Sequence, residues 1–477
     1  EGETKLSWTW PMITRRTCRV ALGGVVPRSA AACRHAAVEH AAARRFATEG
    51  SEERDNAPSW RANGQSALER SGWKPTGDLS DQSHIPQVKV HARDGRQKKK
   101  VLVLCTGGTL TMAPDPSLND GLAPVEGALS QWMQQMEELQ QSEMPDVQVH
   151  EYSPLLDSSD MGPCQWARIA TDIHENYLSF DGFVVLTGTD TMAFAASALS
   201  FMLENLGKPV IFTGSQIPLC EPHNDARHNL IMSLIFASRD SVNEVAIFFH
   251  DRLLRGCRST KVNTHRLLAF DSPNLLPLAN VGITIDEEEH LLLPQPRGQL
   301  RVHTEMDTRL LTIRLCPGFD DSVVKYAVEH PDSELRALVL QLYGTGNLPS
   351  VKKEFLDTLK RATDRGVLVV ATTQCLSGSV VLGHYAVGHA LEAAGVVGAA
   401  DMTVEAACSK LAYLFGRGDL DNEEIARLMP VSLRGEVTPP EERSRSAVPF
   451  AERFGPYSFK TRGRFRGSSF HVPEYVP

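Results

Sequence analysis

The chain has 477 residues, which is room for two or three domains, and its 42% hydrophobic and 22% charged residues are ordinary for a globular protein. The formal net charge of -9 argues against a nucleic-acid-binding protein, which would usually carry a basic surface. No apolar run approaches the length of a membrane span, and none of the nine cysteines falls in a CxxC pair or a zinc-site spacing. We expect the cysteines that end apolar runs, Cys105, Cys316 and Cys375, to be small buried hydrophobic residues in a reduced compartment.

The segment 1–97 is not typical of a folded domain. It is rich in Ala, Arg, Ser and Gly, it lacks sustained periodicity, and prolines interrupt it. Between residues 12 and 47 the arginines come thickly, and Glu39 is the sole acidic residue. This composition indicates an organelle transit peptide, with a merely disordered extension as the alternative. The expected location is the cytoplasm or the mitochondrial matrix.

From residue 98 to 286, strand-like and helix-like segments alternate, which predicts an α/β domain whose parallel sheet is covered on both faces. The sequence VLVLC predicts a buried strand at 101–105, and apolar residues at helical spacing predict a helix that opens at Pro124. Further strands are predicted at 147–151, 183–187, 209–213 and 245–250, and further helices at 164–177, 191–206 and 226–238.

Residues 287–307 are mixed in character, and we interpret them as a linker. Alternation resumes over 308–439, which predicts a second, smaller α/β domain. Its strands are predicted at 310–316, 336–342 and 366–373, and its helices at 322–329, 350–363 and 403–414. The tail 440–477 interleaves basic and aromatic residues. We expect it to be disordered or docked on the surface, and binding of single-stranded nucleic acid is the alternative.

Four polar motifs follow predicted strands or lie close to them. In an open parallel sheet, ligands bind beyond the carboxyl ends of the strands, so these motifs are the candidates for chemistry. They are TGGT at 106–109, DSSD at 157–160, TGTDT at 187–191 and STK at 259–261.

Each motif also has an ordinary structural interpretation. The glycines of 106–109 would form a strand-to-loop turn, and the short polar side chains of 157–160 would cap a helix or attract a substrate carboxylate to its N-terminus. Asp190 would cap a helix or bind a cationic amino group. Lys261 is either a surface charge or a lysine that moves protons beside a threonine and an aspartate. Taken together, the motifs predict one site of hydroxyls, a carboxylate and a lysine.

Hydrolases with a Ser/His/Asp triad and zinc proteases fit this sequence less well. The sequence contains no G-x-S-x-G elbow and no H-E-x-x-H motif. His223 and His228 do not have a spacing that places two ligands on one helix face.

The motifs and their order resemble the bacterial-type (type I, cytosolic-like) L-asparaginases from about residue 101 to about 439. The matching segments are TGGTL (106–110), EYSPLLDSSDM (151–161), the run from DGFVVLTGTDT to TGSQIPL (181–219), NEVAIFFHDRLLRGCRSTK (243–261) and ADMTVEA (400–406). The resemblance implies a larger N-terminal and a smaller C-terminal α/β domain. It implies hydrolysis of L-asparagine to L-aspartate and ammonia, with no metal or organic cofactor. It also implies a homodimer or homotetramer with the site near the contact between subunits.

The resemblance further implies a role for each site residue. Thr109 would be the nucleophile that forms an acyl-enzyme. Thr189, Asp190 and Lys261 would align water and relay protons. Backbone N–H groups near Gly108 and Thr189 would stabilise the oxyanion.

Substrate binding is assigned by the same resemblance. Asp190 would also hold the α-amino group of the substrate. Ser158, with the backbone around Asp157 and Ser159, would hold the α-carboxylate.

The sequence departs from the family pattern in the loop after TGGT. Many members carry there a tyrosine that helps to activate the threonine, whereas Leu122 stands near the expected place here. No tyrosine lies between Thr109 and Tyr152. Tyr385, in the segment GHYAVG, is the candidate replacement.

A second departure concerns regulation. Some type I enzymes have a regulatory asparagine site built partly from an arginine after a strand of the C-terminal domain. Gln341 occupies that position here, whereas Cys375 matches the pattern. Allosteric activation therefore stays open, and a hyperbolic dependence of rate on asparagine would count against it.

Two other functions compete. A related amidotransferase subunit would use the same site to release ammonia from glutamine for charged tRNA, but the negative net charge and the absence of a recognisable added β domain disfavour it. A non-catalytic member that binds amino acids or partners is supported by Leu122 alone. Some glutaminase activity is compatible with the sequence, since a one-methylene difference in a pocket is worth only about 1–3 kcal/mol.

Overall fold

The computed structural model describes residues 87–88, 98–115, 121–349 and 351–439. The predicted tail 440–477 and most of the predicted extension 1–97 therefore lie outside the described residues, and so does the proposed transit peptide. Within that extension, the two-residue strand Gln87–Val88 pairs antiparallel with a strand of the large sheet. None of the helices in the described part of the chain combines the length and hydropathy that crossing a bilayer requires.

Among the residues that the structure describes, the larger sheet has nine strands. In sheet order they are β1 (Gln87–Val88), β5 (Asp146–Leu156), β2 (Lys100–Gly107), β6 (Gly182–Leu186), β8 (Val210–Thr213), β9 (Val245–Phe249), β10 (Arg252–Arg255), β13 (Ala279–Val281) and β14 (Ile285–Glu287). The central strands β5, β2, β6, β8 and β9 are parallel to one another, and the strands after β9 are antiparallel. All five carboxyl ends of the parallel strands therefore lie at one edge of the sheet.

Helices cover both faces of this sheet. They are α1 (Ala128–Gln134), α2 (Pro163–Asn176), α3 (Met192–Met202) and α4 (Ala226–Ala237). Alternation along β2 places Leu102 and Leu104 in the core with α2 and α3, and Val101 and Val103 in the core with α1 and α4. The predicted parallel sheet with two covered faces is confirmed.

A separate parallel sheet of four strands follows, as the sequence predicts. Its strands in order are β16 (Leu310–Arg314), β17 (Ala337–Leu342), β18 (Leu368–Thr373) and β19 (Val397–Gly398). The helices of this part are α5 (Ser322–Glu329), α6 (Lys353–Asp364), α7 (Ala386–Ala393), α8 (Val404–Arg417) and α9 (Asn422–Leu428).

Three short strand pairs complete the fold. They are β3 (Met112–Asp115) with β4 (Gly121–Pro124), β7 (Leu203–Glu204) with β15 (Arg301–Val302), and β11 (Thr260–Lys261) with β12 (Phe270–Asp271). The first pair follows TGGT. The second is contributed partly by the segment 287–307, and the third carries Lys261.

The predicted helix start at Pro124 is wrong. Pro124 pairs within the hairpin of β3 and β4, and α1 begins at Ala128. The carboxylate of Glu151 accepts hydrogen bonds from the backbone N–H groups of Gly127, at 2.9 Å, and Ser130, at 3.0 Å. These donors lack an intrahelical partner at a helix N-terminus, so a distant residue determines where the helix begins.

Two further expectations need correction. The predicted helix 191–206 ends at Met202, because the next two residues form β7 and pair with β15. Cys105 is buried as expected, but Cys316 and Cys375 are exposed. Both exposed cysteines follow strands of the smaller sheet, where the chain reaches the surface.

Candidate active site

The TGGT motif lies at the carboxyl end of β2, where two glycines let the backbone turn. Gly107 has a φ of 129° and Gly108 a φ of 91°, a region that favours glycine. A Cβ on Gly108 would lie 2.3 Å from the backbone nitrogen of Gly188. The first and third motifs are therefore in direct backbone contact, and Thr109 begins a 3-10 turn at this junction.

The second motif packs against the other side of Gly188. A Cβ on Gly188 would lie 2.6 Å from the Ser158 hydroxyl oxygen. The Thr191 hydroxyl donates to the carbonyl oxygen of Ser158 at 2.6 Å. The motifs 106–109, 157–160 and 187–191 thus meet at one sheet edge.

Asp157 and Ser159 form a compact turn with each other. The Asp157 carboxylate accepts from the Ser159 backbone N–H at 2.8 Å and from its hydroxyl at 2.7 Å. The hydrogen bond from the Ser159 hydroxyl, followed by the one from the backbone N–H, lowers the pKa of Asp157. The motif forms a 3-10 turn of its own, and helix α2 begins later, after Gly162, so these residues do not cap α2.

Lys261 reaches this edge from β11, outside the large sheet. Its Nζ donates to the Thr189 hydroxyl oxygen at 2.7 Å and to Asp190 Oδ1 at 2.7 Å. Thr189 and Lys261 are largely buried, whereas the Asp190 side chain is 71% exposed. The N-cap of α3 is Thr191, so Asp190 faces the lysine and solvent and does not cap this helix.

Gln216 also belongs to this cluster, although it lies outside the four motifs. Its Oε1 lies 3.4 Å from the Thr189 hydroxyl oxygen. An ammonium group only donates, so the Thr189 oxygen accepts from Lys261 and its proton points to Gln216. The carboxylate of Asp225 fixes the Gln216 backbone N–H at 3.0 Å. One sequence signal was available: TGSQ begins at the last residue of β8, much as TGTD follows β6.

Three residues singled out by the family pattern lie elsewhere. Tyr385 immediately precedes α7, is 56% exposed, and is not among the described contacts that join the motifs. Leu122 is an exposed residue of β4 in the hairpin that follows TGGT. Gln341 lies near the end of β17 in the smaller sheet.

The assembled groups are suited to nucleophilic and acid–base chemistry. Thr109 supplies a hydroxyl, and Thr189, Lys261 and Asp190 form a connected hydroxyl, ammonium and carboxylate. Across the residues that the structure describes, no group of three or more His, Cys, Asp and Glu side chains could hold a metal ion.

Comparison with known proteins identifies two family regions. The family described as "Asparaginase, N-terminal" matches residues 100–292, and "Glutaminase/Asparaginase C-terminal domain" matches residues 309–429. L-asparaginase 1 of Escherichia coli strain K12 is 48% identical over 343 residues, which cover 72% of this chain and 99% of that protein. The human 60 kDa lysophospholipase is 44% identical over 299 residues, 62% of this chain and 51% of that protein. The crystal structure of L-asparaginase I from Vibrio cholerae aligns with a TM-score of 0.66 and 42% identity, covering 72% of this chain and 100% of that one.

Proposed function

The chain belongs to the asparaginase family of amidohydrolases, and on that premise we propose that it hydrolyses L-asparagine to L-aspartate and ammonia through a threonine acyl-enzyme. The observation that carries the proposal is the pair of 2.7 Å hydrogen bonds from Lys261 to Thr189 and Asp190. This connected group lies at the sheet edge where Thr109 begins its turn. Amide hydrolysis by a covalent route needs such a nucleophile beside groups that move protons.

The first half of the reaction forms the acyl-enzyme. Thr109 Oγ1 attacks the side-chain carboxamide carbon, and backbone N–H groups near Gly108 and Thr189 stabilise the negative charge on the former carbonyl oxygen. The hydroxyl proton of Thr109 is transferred to the amide nitrogen. The carbon–nitrogen bond breaks, ammonia leaves, and an aspartyl ester remains on Thr109.

The second half releases aspartate. A water molecule aligned by Thr189 attacks the ester carbon, and its proton passes through the Thr189 hydroxyl towards Lys261. The ester bond breaks, and the proton returns to Thr109 Oγ1. In this step Lys261 is the neutral amine, the Thr189 hydroxyl donates to it instead of to Gln216, and the Asp190 carboxylate stabilises the ammonium that forms.

Two carboxyl-edge motifs supply the substrate contacts in this proposal. The exposed Asp190 carboxylate binds the α-amino group of the substrate. Ser158 binds the α-carboxylate together with the backbone of the turn formed by Asp157 and Ser159. Both donors of Ser159 already bond to Asp157, so Ser159 contributes by fixing that turn. The small groups here favour asparagine, and the expected discrimination against glutamine is modest, about 1–3 kcal/mol.

We further propose that the chain assembles as a homodimer or homotetramer. The Tyr385 side chain is 56% exposed and so is accessible to a second copy of the chain. A second copy would then bring the Tyr385 hydroxyl to Thr109, which it does not contact in one chain. Sedimentation of the active protein tests this assembly, and a fully active monomer would contradict it.

Ammonia release from the purified full chain, with asparagine and glutamine side by side, tests the proposed reaction. Thr109→Ala should lower asparagine turnover by at least about 10³-fold, because it removes the nucleophile. Aspartate binding, measured by calorimetry on the same variant, should be retained because Thr109 is not a ground-state contact in this proposal.

The parent chain decides among the alternatives. Hydrolysis of glutamine alone, stimulated by charged tRNA, would favour the amidotransferase subunit. Binding of aspartate with no turnover of either amide would favour the non-catalytic member of the fold.

A further inference from the structure

Lys261 lies on β11, a strand that does not belong to the large sheet. Strand β11 has two residues, and among the described residues it pairs only with the two-residue strand β12. A ladder of this length provides little stability of its own. The position of the Lys261 ammonium group therefore depends on what else fixes β11.

One side chain from the smaller α/β part reaches β11 directly. The Thr260 hydroxyl donates to Glu405 Oε1 at 2.6 Å, and Glu405 lies in the first turn of α8. Successive side chains of a strand point to opposite sides. When Glu405 holds Thr260 on one side, Lys261 is directed to the other side, where Thr189 and Asp190 lie.

We propose that Glu405 is a positioning residue for the reaction, acting through Thr260 to place Lys261. This role rests on the proposed function, because it takes Lys261 to be the group that moves protons. It gives the smaller α/β part a contribution to catalysis although Glu405 is not placed against the substrate.

The segment before α8 contacts the residues that lead into β11. Ala400 has a φ of 53°, a left-handed conformation that costs a non-glycine residue energy and that persists only where surrounding contacts impose it. The next residue, Asp401, accepts from Arg258 Nη2 at 2.9 Å. Arg258 is two residues before Thr260 and is buried. The Arg258–Asp401 contact thus joins the two parts ahead of β11, whereas the Thr260–Glu405 bond lies on β11 itself.

The surroundings of Glu405 bear on its hydrogen bond with Thr260. Burial raises the pKa of Glu405, and the Thr260 hydrogen bond partly offsets the increase. Thr403, the N-cap of α8, accepts from the Ala406 N–H at 3.1 Å and so fixes the helix start that carries Glu405. A half-buried carboxyl with a short bond to the Thr260 hydroxyl orients that hydroxyl.

The test compares matched variants at both ends of the bond. Thr260→Val removes the hydroxyl and keeps the shape, and Thr260→Ser restores the hydroxyl. Glu405→Met removes the acceptor, and Glu405→Gln restores an oxygen acceptor. We expect Thr260→Val and Glu405→Met each to lower kcat for asparagine about tenfold, with KM and aspartate affinity within twofold of the parent. The serine and glutamine variants should recover most of kcat.

The double variant and a control separate positioning from general loosening. Thr260→Val with Glu405→Met should be no slower than either single variant, because both remove one bond. Thr438→Val deletes a hydroxyl that donates to Asp401 Oδ2 at 2.6 Å, in the same region between the two parts. It should lower the melting temperature and leave kcat within twofold of the parent.

Three results would overturn the role of Glu405. They are a parental kcat in Thr260→Val, additive losses in the double variant, or an equal loss of kcat in Thr438→Val. Aspartate binding by calorimetry identifies any variant that has not folded. If Thr260→Val or Glu405→Met has not folded, the kcat values of Thr260→Ser and Glu405→Gln test the role of Glu405 instead. A parent chain without turnover would instead overturn the proposed function, and this role with it.

Discussion

At the carboxyl edge of the large sheet, hydroxyls, a carboxylate and a lysine converge on backbone that glycines bring close together. At the same edge of the small sheet, the side-chain amide of Gln374 donates to the carbonyl oxygens of Leu315, at 2.5 Å, and Gln341, at 2.8 Å. Both edges come from parallel strands alternating with helices. The architecture supplies an edge, and the residues there determine whether it presents reactive groups or closes on itself.

The loops after the strands show the same contrast. After β17 the chain turns back on itself, with a bridge between Tyr343 and Asn347. After β6 the chain instead runs past Gly108 and Ser158, with Gly188 packed between them. The large-sheet loop therefore packs against the motifs that carry reactive groups, whereas the small-sheet loop bonds within itself and to the Thr373 hydroxyl, which donates to the Gly344 carbonyl oxygen at 2.6 Å.

Replacing one lysine at each sheet edge should give the largest difference in activity between the two edges. Lys261→Met removes the ammonium that contacts Thr189 and Asp190 and should lower kcat about 10³-fold, the scale of a lost acid–base group. Its melting temperature should change little, because the Asp190 carboxylate stays 71% exposed to water. Steady-state ammonia release and thermal unfolding measure the two effects.

The matched control lies beside the small sheet. Lys352 Nζ bonds to Asp321 Oδ1 at 2.5 Å and to the Phe319 carbonyl oxygen at 2.8 Å, an ion pair with no contact to the four motifs in the described part of the chain. Lys352→Met should keep kcat within twofold. A loss of kcat similar to that of Lys261→Met would contradict the proposal that only the large-sheet edge acts on the reaction.

Adding one methyl group to a glycine near each sheet edge should give the second-largest difference in activity. In Gly188→Ala, the new Cβ would lie 2.6 Å from Ser158 Oγ, so the motifs must move apart. A displacement of this kind in a site that depends on orientation should lower kcat/KM about 10²-fold. In Gly398→Ala, the nearest atom would be Val380 Cγ1 at 3.6 Å, an ordinary contact, and kcat/KM should be unchanged. Full activity of Gly188→Ala would mean that the close backbone approach is not needed.

Local patterns predicted much of this molecule correctly. The helix at 322–329 was predicted with the bounds that the structure has, because its apolar spacing is contained in the segment itself. The meeting of 106–109, 157–160 and 187–191 could also be predicted, since parallel strands place their carboxyl ends at one edge. The roles of Thr109, Ser158 and the other site residues remain proposals.

Features that depend on distant residues could not be predicted from local patterns. The start of α1 depends on Glu151, which lies in the next strand, β5, 24 positions after its partner Gly127. The bond between Thr260 and Glu405 joins residues 145 positions apart. Gln216 carries no charge, and although TGSQ parallels TGTD in sequence, its contact with Thr189 is set by the tertiary structure. Hydrophobic spacing carries no information on such pairs.

Two glutamines that follow parallel strands should give the smallest difference in activity between the two edges. Gln216→Ala removes the acceptor of the Thr189 proton and should lower kcat about tenfold with little change in the free energy of unfolding. Gln374→Ala leaves the Leu315 carbonyl without its side-chain donor and should destabilise the fold by about 1–3 kcal/mol while the folded enzyme keeps its kcat. Urea unfolding and ammonia release on both variants measure these effects. If Gln374→Ala lost kcat without losing stability, the small-sheet edge would have to act on the reaction, and its closure by Gln374 would be a catalytic feature as well as a structural one.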